Sequence, residues 1–222
     1  MSSNNFIRRV PSRISGRSFS NGILLKGGNK QAVAVRLKNG KIDVEVSDIK
    51  NRNTSKSIPA FINMLVLAAG GILESFKVLK KNNRVSVIRL FKYHGAEHKI
   101  IHCYEEGMEL TVENAKRCST YHPRCGSTLA ANVLIIEGLI CLIVPSKIRN
   151  ALYGFVDVIL FFAAFFAGFK LSRYIADKNN KLTSVLSLPG KFLQKVTALE
   201  PDEEMLECGI EAAKNIVQSE YK

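Results

Sequence analysis

The four histidines of the sequence all lie between residues 94 and 122, and two of them have the spacing of a metal site. His94 and His98 are one helical turn apart and share a helix face. With Glu97 they form the pattern H-x-x-E-H. In such a pattern two imidazoles chelate one cation, and the carboxylate accepts a proton from water that the cation polarises. The pattern therefore predicts a divalent metal ion, with zinc as the expected metal and Glu97 as the general base.

Three neighbouring residues qualify this prediction. Gly95 weakens a helix by about 1 kcal/mol relative to alanine, so we expect another backbone or a ligand to approach closely there. His102 and Glu105 are possible additional ligands. Glu105, however, lies about 16 Å from His94 along the axis of an unbroken helix and could not share its metal. A further ligand must come from elsewhere in the fold.

The loop His122-Pro123-Arg124-Cys125-Gly126 supplies the candidates. Its H-x-x-C spacing is that of a zinc half-site, so His122, Cys125 or both are predicted ligands. Arg124 could hold an anionic group of a substrate. Taken singly, a histidine is usually a hydrogen-bonded side chain and a cysteine a small hydrophobe. Their concentration in residues 85–126 favours a metal-site region, although Cys103 and Cys118 are weaker candidates.

Two apolar segments follow this region and predict a transmembrane helical hairpin over residues 128–169. Thr128 to Val144 and Ala151 to Phe169 would span about 25 and 28 Å as helices, close to the ~30 Å of a bilayer core. The alternative is a buried helix pair in a soluble protein. Five phenylalanines between Phe161 and Phe169 leave this helix without a polar face, which favours lipid. Ser127 and Thr128 are expected to cap the first helix.

The positive charge indicates how the chain crosses the membrane. Lys and Arg number 32 and Asp and Glu 19, for a net charge of +13. With two spans, all basic residues except Lys147 and Arg149 lie on one side, as the positive-inside rule requires. A third apolar segment, within residues 58–79, is then an interfacial or re-entrant helix. There is no nucleic-acid-binding motif and no tryptophan, so no nucleic-acid partner is expected.

Glu137 and Asp157 are acidic residues within the two predicted spans. The turn of the hairpin centres near Lys147, which puts them at matching depth. Two carboxylates in lipid cannot both ionise cheaply, so one could hold a proton or face a polar groove. The alternative is that one helix is not fully inserted.

The N-terminal part is predicted to contain a basic tail and a β-hairpin. Residues 1–21 form a basic flexible tail; alternatively its start is an organelle transit peptide, being rich in Arg and Ser and free of acids. In the region 22–57, Val33, Val35 and Leu37 alternate with polar or small residues, and Asn39-Gly40 is a strong turn signal. We expect one apolar face to lie on another element.

Residues 170–222 are predicted to be a cytoplasmic tail. Its first part is polar and irregular, and Leu188-Pro189-Gly190 indicates a break. Pro201 and the acids after it start an amphipathic helix. Its apolar stripe runs from Met205 to Val217 and includes Cys208, which is predicted to be a core residue rather than a ligand.

The histidine motif resembles that of the YqhQ-like family of bacterial membrane proteins. The resembling residues are Tyr93 to Lys99, Tyr104-Glu105, Leu110 to Asn114, His122 with Arg124 to Gly126, and Glu200-Pro201-Asp202. The resemblance covers roughly Gly22 to Val217. Family members carry more membrane helices before the histidine motif, where this chain has only Lys80 to Arg84.

The resemblance implies an uncharacterised family of predicted metal-dependent enzymes in the bacterial cell membrane. We expect a mainly α-helical integral membrane protein with a small N-terminal β-hairpin, and with its termini and metal site cytoplasmic. The leading hypothesis is a metal-dependent hydrolase; the alternative is a non-enzymatic, metal-stabilised membrane scaffold or assembly factor. The expected partners are the lipid bilayer and other membrane proteins, including further copies of the chain.

Overall fold

The computed structural model describes residues 14–49, 86–150, 154–178 and 180–220. They divide into two compact units. Unit 1 contains the described residues up to Thr120 and those from Ala198 onward, and unit 2 runs from Tyr121 to Thr197. The predicted helix at 58–79 and residues 1–13 of the predicted tail lie outside the described residues.

Unit 1 begins with a four-stranded antiparallel sheet in the order β1-β2-β3-β4. The strands are β1 (Ser15–Ser18), β2 (Gly22–Gly27), β3 (Lys30–Arg36) and β4 (Ile42–Asp48). The predicted hairpin is confirmed as β3 and β4, but it is half of a larger sheet. β1 lies inside residues 1–21, where a flexible tail is expected, because its backbone pairs with β2 from Ser15 opposite Lys26 to Ser18 opposite Ile23.

The helices of the described chain are, in order, α1 (Val87–Glu105), α2 (Val112–Arg117), α3 (Gly126–Ile143), α4 (Ser146–Arg149), α5 (Phe155–Asp177), α6 (Lys181–Leu186), α7 (Leu188–Thr197) and α8 (Glu203–Glu220). The two apolar helices of the predicted hairpin and the C-terminal amphipathic helix are confirmed as elements. The Thr111 side chain caps α2 by accepting a hydrogen bond from the Asn114 backbone N–H at 3.2 Å.

The core of unit 1 lies between the sheet, α1 and α8. Fully buried residues include Ile23 and Leu25 of β2, Ile100 of α1, and Leu206 and Ile216 of α8. Cys208 is buried among them, as predicted, and its thiol lies 3.3 Å from the Ala34 carbonyl oxygen. The amphipathic stripe of α8 therefore covers the sheet within one unit.

The face of β3 that enters this core differs from the expected one. Ala32 and Ala34 are fully buried, whereas Val33 and Val35 are half-buried and Leu37 is exposed. Ala34 pairs with Val44 of β4, and Val44 packs against the core. The two alanines allow the backbone of β3 to approach α8 closely, so small size decides the buried face here rather than hydrophobicity alone.

Unit 2 contains α3 and α5, which are the two helices long and apolar enough to cross a membrane in the described part of the chain. They pack closely, because a Cβ on Gly168 would lie 2.6 Å from the Val133 side chain. Asn132 donates a hydrogen bond to the Ser172 hydroxyl at 2.9 Å. The expected cap at Ser127-Thr128 is wrong: the helix begins earlier, and Cys125 is its N-cap.

The segment after α5 is helical rather than irregular. Asn180 caps α6 through a reciprocal capping box with Thr183. Pro189 causes no break, because it lies in the first turn of α7, where no backbone donor is needed. Gly190 is required by packing, since a Cβ there would lie 2.9 Å from the Thr128 side chain.

Candidate metal centre

Helix α1 brings the first two predicted ligands together. The His94 and His98 rings have centroids 4.3 Å apart and are inclined by 63°. Each offers a ring nitrogen, and these nitrogens lie within 4.8 Å of each other. His98 is buried and His94 half-buried. The spacing therefore places two imidazoles as the sequence predicts, on the buried part of a helix that Ser86 caps.

A backbone carbonyl orients His98. Its Nδ1 lies 2.5 Å from the carbonyl oxygen of Thr120. A carbonyl oxygen only accepts, so Nδ1 carries the proton and a neutral His98 has its lone pair on Nε2. Ligating histidines are commonly fixed in this way by a partner on the other ring nitrogen. In this tautomer Nε2 is the His98 atom that could act as a metal ligand.

Strand β1 covers Glu97. The side chain of Glu97 is only 7% exposed. A Cβ on Gly16 would lie 2.6 Å from both Cγ and Oε1 of Glu97, so only a glycine fits above this carboxylate. The candidate general base is therefore enclosed by unit 1.

Lys99, the residue after His98, is buried and fully partnered. Its ammonium donates to the carbonyl oxygens of Lys116 at 2.9 Å and Cys118 at 2.8 Å. It also forms a salt bridge with Glu200 at 2.9 Å. The positive charge lies at the C-terminal end of α2, where it is favourable. Lys99 thereby holds the chain just before Thr120, whose carbonyl orients His98.

Gly95 allows a second backbone to approach α1, as predicted. A Cβ there would lie 1.9 Å from the carbonyl oxygen of Leu199, and the Leu199 N–H donates to the Phe91 carbonyl at 3.0 Å. Lys92 pairs with Asp202 at 2.8 Å on the same side. The motif therefore contains two candidate ligands and, beside them, residues that bind the Leu199–Asp202 segment.

The loop with the other predicted ligands belongs to unit 2. His122 is buried, and burial lowers the pKa of its imidazole, which favours the neutral form that binds metals. The Cys125 thiol lies 3.0 Å from the Ser127 hydroxyl. Arg124 is exposed in the turn between them.

Gln194 of α7 holds this loop and was not predicted. Its side-chain oxygen accepts from the His122 N–H at 2.9 Å, and its amide nitrogen donates to the His122 carbonyl at 3.0 Å. The same nitrogen donates to the Thr128 hydroxyl at 2.7 Å. Gly190 and Gln194 are one helical turn apart, so they share the face of α7 that packs on Thr128. The sequence indicates this shared face only once the segment is recognised as a helix.

Among the described residues, the remaining candidates do not belong to the group of possible ligand atoms that contains His94 and His98. His102 lies 3.6 Å from Glu106, and Glu105 lies near the end of the helix. Cys103 and Cys118 are buried, and burial raises the pKa of both thiols, that of Cys103 to about 12. Both thiols are therefore protonated at neutral pH in the absence of a cation.

Asp157 has a partner that the sequence did not indicate. Arg149, in the short helix between the two apolar helices, lies 3.6 Å from its carboxylate. This interaction is local to the hairpin turn. The face-to-face pairing of Glu137 and Asp157 stays a prediction.

Comparison with known proteins identifies the family. The family model described as "Protein of unknown function (DUF1385)" matches residues 73–219. The chain belongs to this family. The "Uncharacterized protein YqhQ" of Bacillus subtilis (strain 168) is 34% identical over 142 residues, which confirms the YqhQ-like resemblance. The alignment covers 60% of this chain and 42% of the Bacillus protein, so the chain spans less than half of that relative's length. No solved structure gives a significant match.

Proposed function

We propose that this chain is a membrane-anchored, metal-dependent hydrolase in which His94 and His98 hold a divalent cation, with zinc as the first expectation. The observation that carries the proposal is the His98 ring, which is adjacent to His94 and fixed by the Thr120 carbonyl. When bound, such a cation supplies a Lewis acid that polarises water or a carbonyl or phosphoryl oxygen.

The third ligand in this proposal is Cys125 or His122. Thr120 is bonded to His98, and Cys125 follows it by five residues, which span at most about 17 Å when extended. The short connection keeps the loop within reach of the histidines. A set of two imidazoles and a thiolate, or of three imidazoles, leaves an open position in a tetrahedral zinc site.

Glu97 and Arg124 have the other roles in the proposed reaction. Glu97 accepts a proton from the attacking water, and its enclosure by Gly16 excludes bulk solvent from the carboxylate. Arg124 is exposed and carries a permanent charge, which suits an anionic group of a substrate.

Replacing Glu97 by glutamine tests the proposed base. Glutamine keeps the size and can hydrogen-bond, but it cannot accept the proton. Full-length E97Q should retain metal, measured by elemental mass spectrometry, while its ability to complement a cell lacking the wild-type protein falls, with turnover down by about 100-fold or more. H98A should lose both metal and complementation, and E113Q, at an exposed acid of α2, should lose neither.

The second candidate function is a scaffold or assembly factor stabilised by a closed metal site. The burial of Glu97 against β1 favours it, because an enclosed carboxylate can also orient a ligating histidine. In that case E97Q complements fully while H98A does not. X-ray absorption of the metal-loaded protein distinguishes the candidates independently, since four protein ligands indicate the scaffold and an open position indicates the enzyme.

We further propose that α3 and α5 cross the bacterial cell membrane, with both termini in the cytoplasm. The low burial of both helices supports this, because only 22% of the most apolar segment of α3 and 11% of that of α5 is buried. The lipid bilayer is then the first partner, and association with further copies or other membrane proteins is an additional prediction.

A further inference from the structure

Helices α6 and α7 expose an apolar surface that nothing in unit 2 covers among the described residues. Phe192 is 73% exposed, and Leu188 and Val196 are each 56% exposed. Successive turns of α7 place these three residues on one face. Leu182 and Val185 of α6 are also exposed. We call these five residues the α6–α7 surface.

The opposite face of α7 is fixed to the rest of unit 2. Gly190 and Gln194 lie there, and both contact Thr128 in the first turn of α3. The orientation of α7 is therefore fixed by packing, and this packing leaves its apolar face exposed.

The charges on α6 and α7 themselves are of one sign. From Lys181 to Thr197 the sequence contains lysines at 181, 191 and 195 and no acidic residue, while Asp177, exposed at the end of α5, lies just before Lys178. Lys181 and Lys195 are exposed, and Lys191 lies over the Tyr121 ring at 5.3 Å. An apolar face flanked by lysines is typical of a helix that lies in the headgroup region of an anionic bilayer.

The position of the helix agrees with such an environment. α7 contacts the start of α3, and α6 follows the end of α5, so both lie at the end of the apolar hairpin where its two outer termini meet. If α3 and α5 cross the membrane as proposed above, this end is at a membrane surface.

We infer that the α6–α7 surface is an interfacial anchor that inserts its apolar residues among the headgroups of a bilayer containing anionic phospholipid. The inference rests on the membrane insertion in the proposed function, but not on metal binding or hydrolysis. The anchor would fix the loop from His122 to Cys125 at the membrane surface, because Gln194 joins α7 to that loop.

Tryptophan fluorescence tests the anchor in the full-length protein. The sequence contains no tryptophan, so Phe192→Trp introduces a single probe. The variant is reconstituted in vesicles of phosphatidylcholine and phosphatidylglycerol that carry bromine near the glycerol end or near the methyl end of the acyl chain. We expect stronger quenching by bromine near the glycerol end, and protection from aqueous iodide relative to N-acetyl-tryptophanamide.

Phe161→Trp is the matched control, because Phe161 is exposed and lies near the middle of the predicted span from Ala151 to Phe169. It should be quenched most by bromine near the methyl end, and this result alone decides whether α5 is inserted. Quenching of the Phe161 probe without quenching of the Phe192 probe overturns the anchor and leaves the span intact. Protection of the Phe192 probe from iodide without quenching by lipid shows that protein covers the surface, and it overturns the inference as well.

A charge variant tests the lipid preference. In F192W, Lys181 and Lys195 are both replaced by glutamine. Quenching of F192W should be greater in vesicles that contain phosphatidylglycerol than in pure phosphatidylcholine, and the double replacement should abolish that difference. An unchanged difference would contradict recognition of anionic headgroups by these lysines.

Discussion

Gln194 satisfies three buried polar groups at once: the His122 N–H, the His122 carbonyl and the Thr128 hydroxyl. Replacing it by leucine removes the partner of the His122 N–H and of the Thr128 hydroxyl, whereas the His122 carbonyl still accepts from the Cys125 N–H at 3.2 Å. Each of the two buried groups costs about 1–3 kcal/mol when it is unsatisfied, so Q194L should lower the free energy of unfolding by about 2 kcal/mol or more. Thermal unfolding of the detergent-solubilised protein measures this change, and metal content should fall with it if the loop carries a ligand.

The control for this prediction is Gln218→Leu. Gln218 is exposed on α8, so its loss should change stability by no more than about 0.5 kcal/mol. Equal effects of the two replacements would show that the hydrogen bonds of Gln194 contribute little.

The buried thiols provide a second prediction at the residue scale. Burial raises the pKa of Cys103 to about 12 and that of Cys208 to about 11. Since the thiolate is the reactive form, a thiol with a pKa of 12 is ionised at about one part in ten thousand at pH 8. Iodoacetamide at pH 8 should therefore leave both unmodified in the folded protein and modify both in denaturant, as mass spectrometry can show.

A cysteine introduced at Glu113 is the reference for these rates. Glu113 is exposed on α2, so E113C should react in the folded protein as a free thiol does. Modification of Cys103 or Cys208 at the rate of the reference would contradict their burial.

The histidines were predictable from spacing alone, but their supports were not. His94 and His98 are neighbours on one helix, and local periodicity is enough to pair them. Lys99 and Gln194 instead bind backbone groups that the fold brings to them, and the partner of Gln194 lies 72 residues away in sequence. Every residue has the same backbone groups, so the sequence does not show which of them a side chain will bind.

At the scale of elements, the contact between α1 and the Leu199 segment can be tested at Gly95. An alanine Cβ there would lie 1.9 Å from the Leu199 carbonyl oxygen, far inside contact distance. Alanine gains about 1 kcal/mol in helix propensity, but displacing the packed backbone costs about 3 kcal/mol. G95A should therefore lower the melting temperature, despite being the better helix former.

Gly138→Ala is the matched control on α3. A Cβ at Gly138 would meet nothing within 4 Å, so only the propensity change remains. We expect the melting temperature of this variant to be unchanged or slightly raised. A loss equal to that of G95A would show that the Leu199 contact is not the cause.

Elements with a strong periodic pattern were predictable, and those defined by close packing were not. Asn39-Gly40 correctly indicated a hairpin, and Gly40 adopts the left-handed conformation with φ of 81°. The face of β3 predicted to be buried was the wrong one. The face with Ala32 and Ala34 is buried instead, because α8 packs so closely on β3 that only small side chains fit. Pro189 and Gly190 resemble a break in sequence, yet both suit the first turn of a packed helix.

At the scale of the whole molecule, the charged residues and the long apolar segments lie in different regions of the chain. The predicted fold class is confirmed in its coarser form, as mainly helical with a small N-terminal antiparallel sheet and two helices long enough to span a membrane. The apolar composition of α3 and α5 made both helices predictable, because lipid and a protein interior both favour apolar residues. Composition alone does not distinguish these environments, whereas the outward-facing apolar residues of α3 and α5 favour lipid.

The distribution of basic residues predicts the sidedness of the chain. Of 32 Lys and Arg residues, two lie between the apolar helices, and the positive-inside rule places the others in the cytoplasm. In a background with Cys141 replaced by serine, a cysteine at Ser146 of α4 should react with a membrane-impermeant maleimide in intact cells, because Ser146 is exposed in the turn that the rule predicts to be external. A cysteine at Glu113 should react only after permeabilisation. Reaction of the Glu113 cysteine in intact cells would place unit 1 outside, and the proposed cytoplasmic metal site with it.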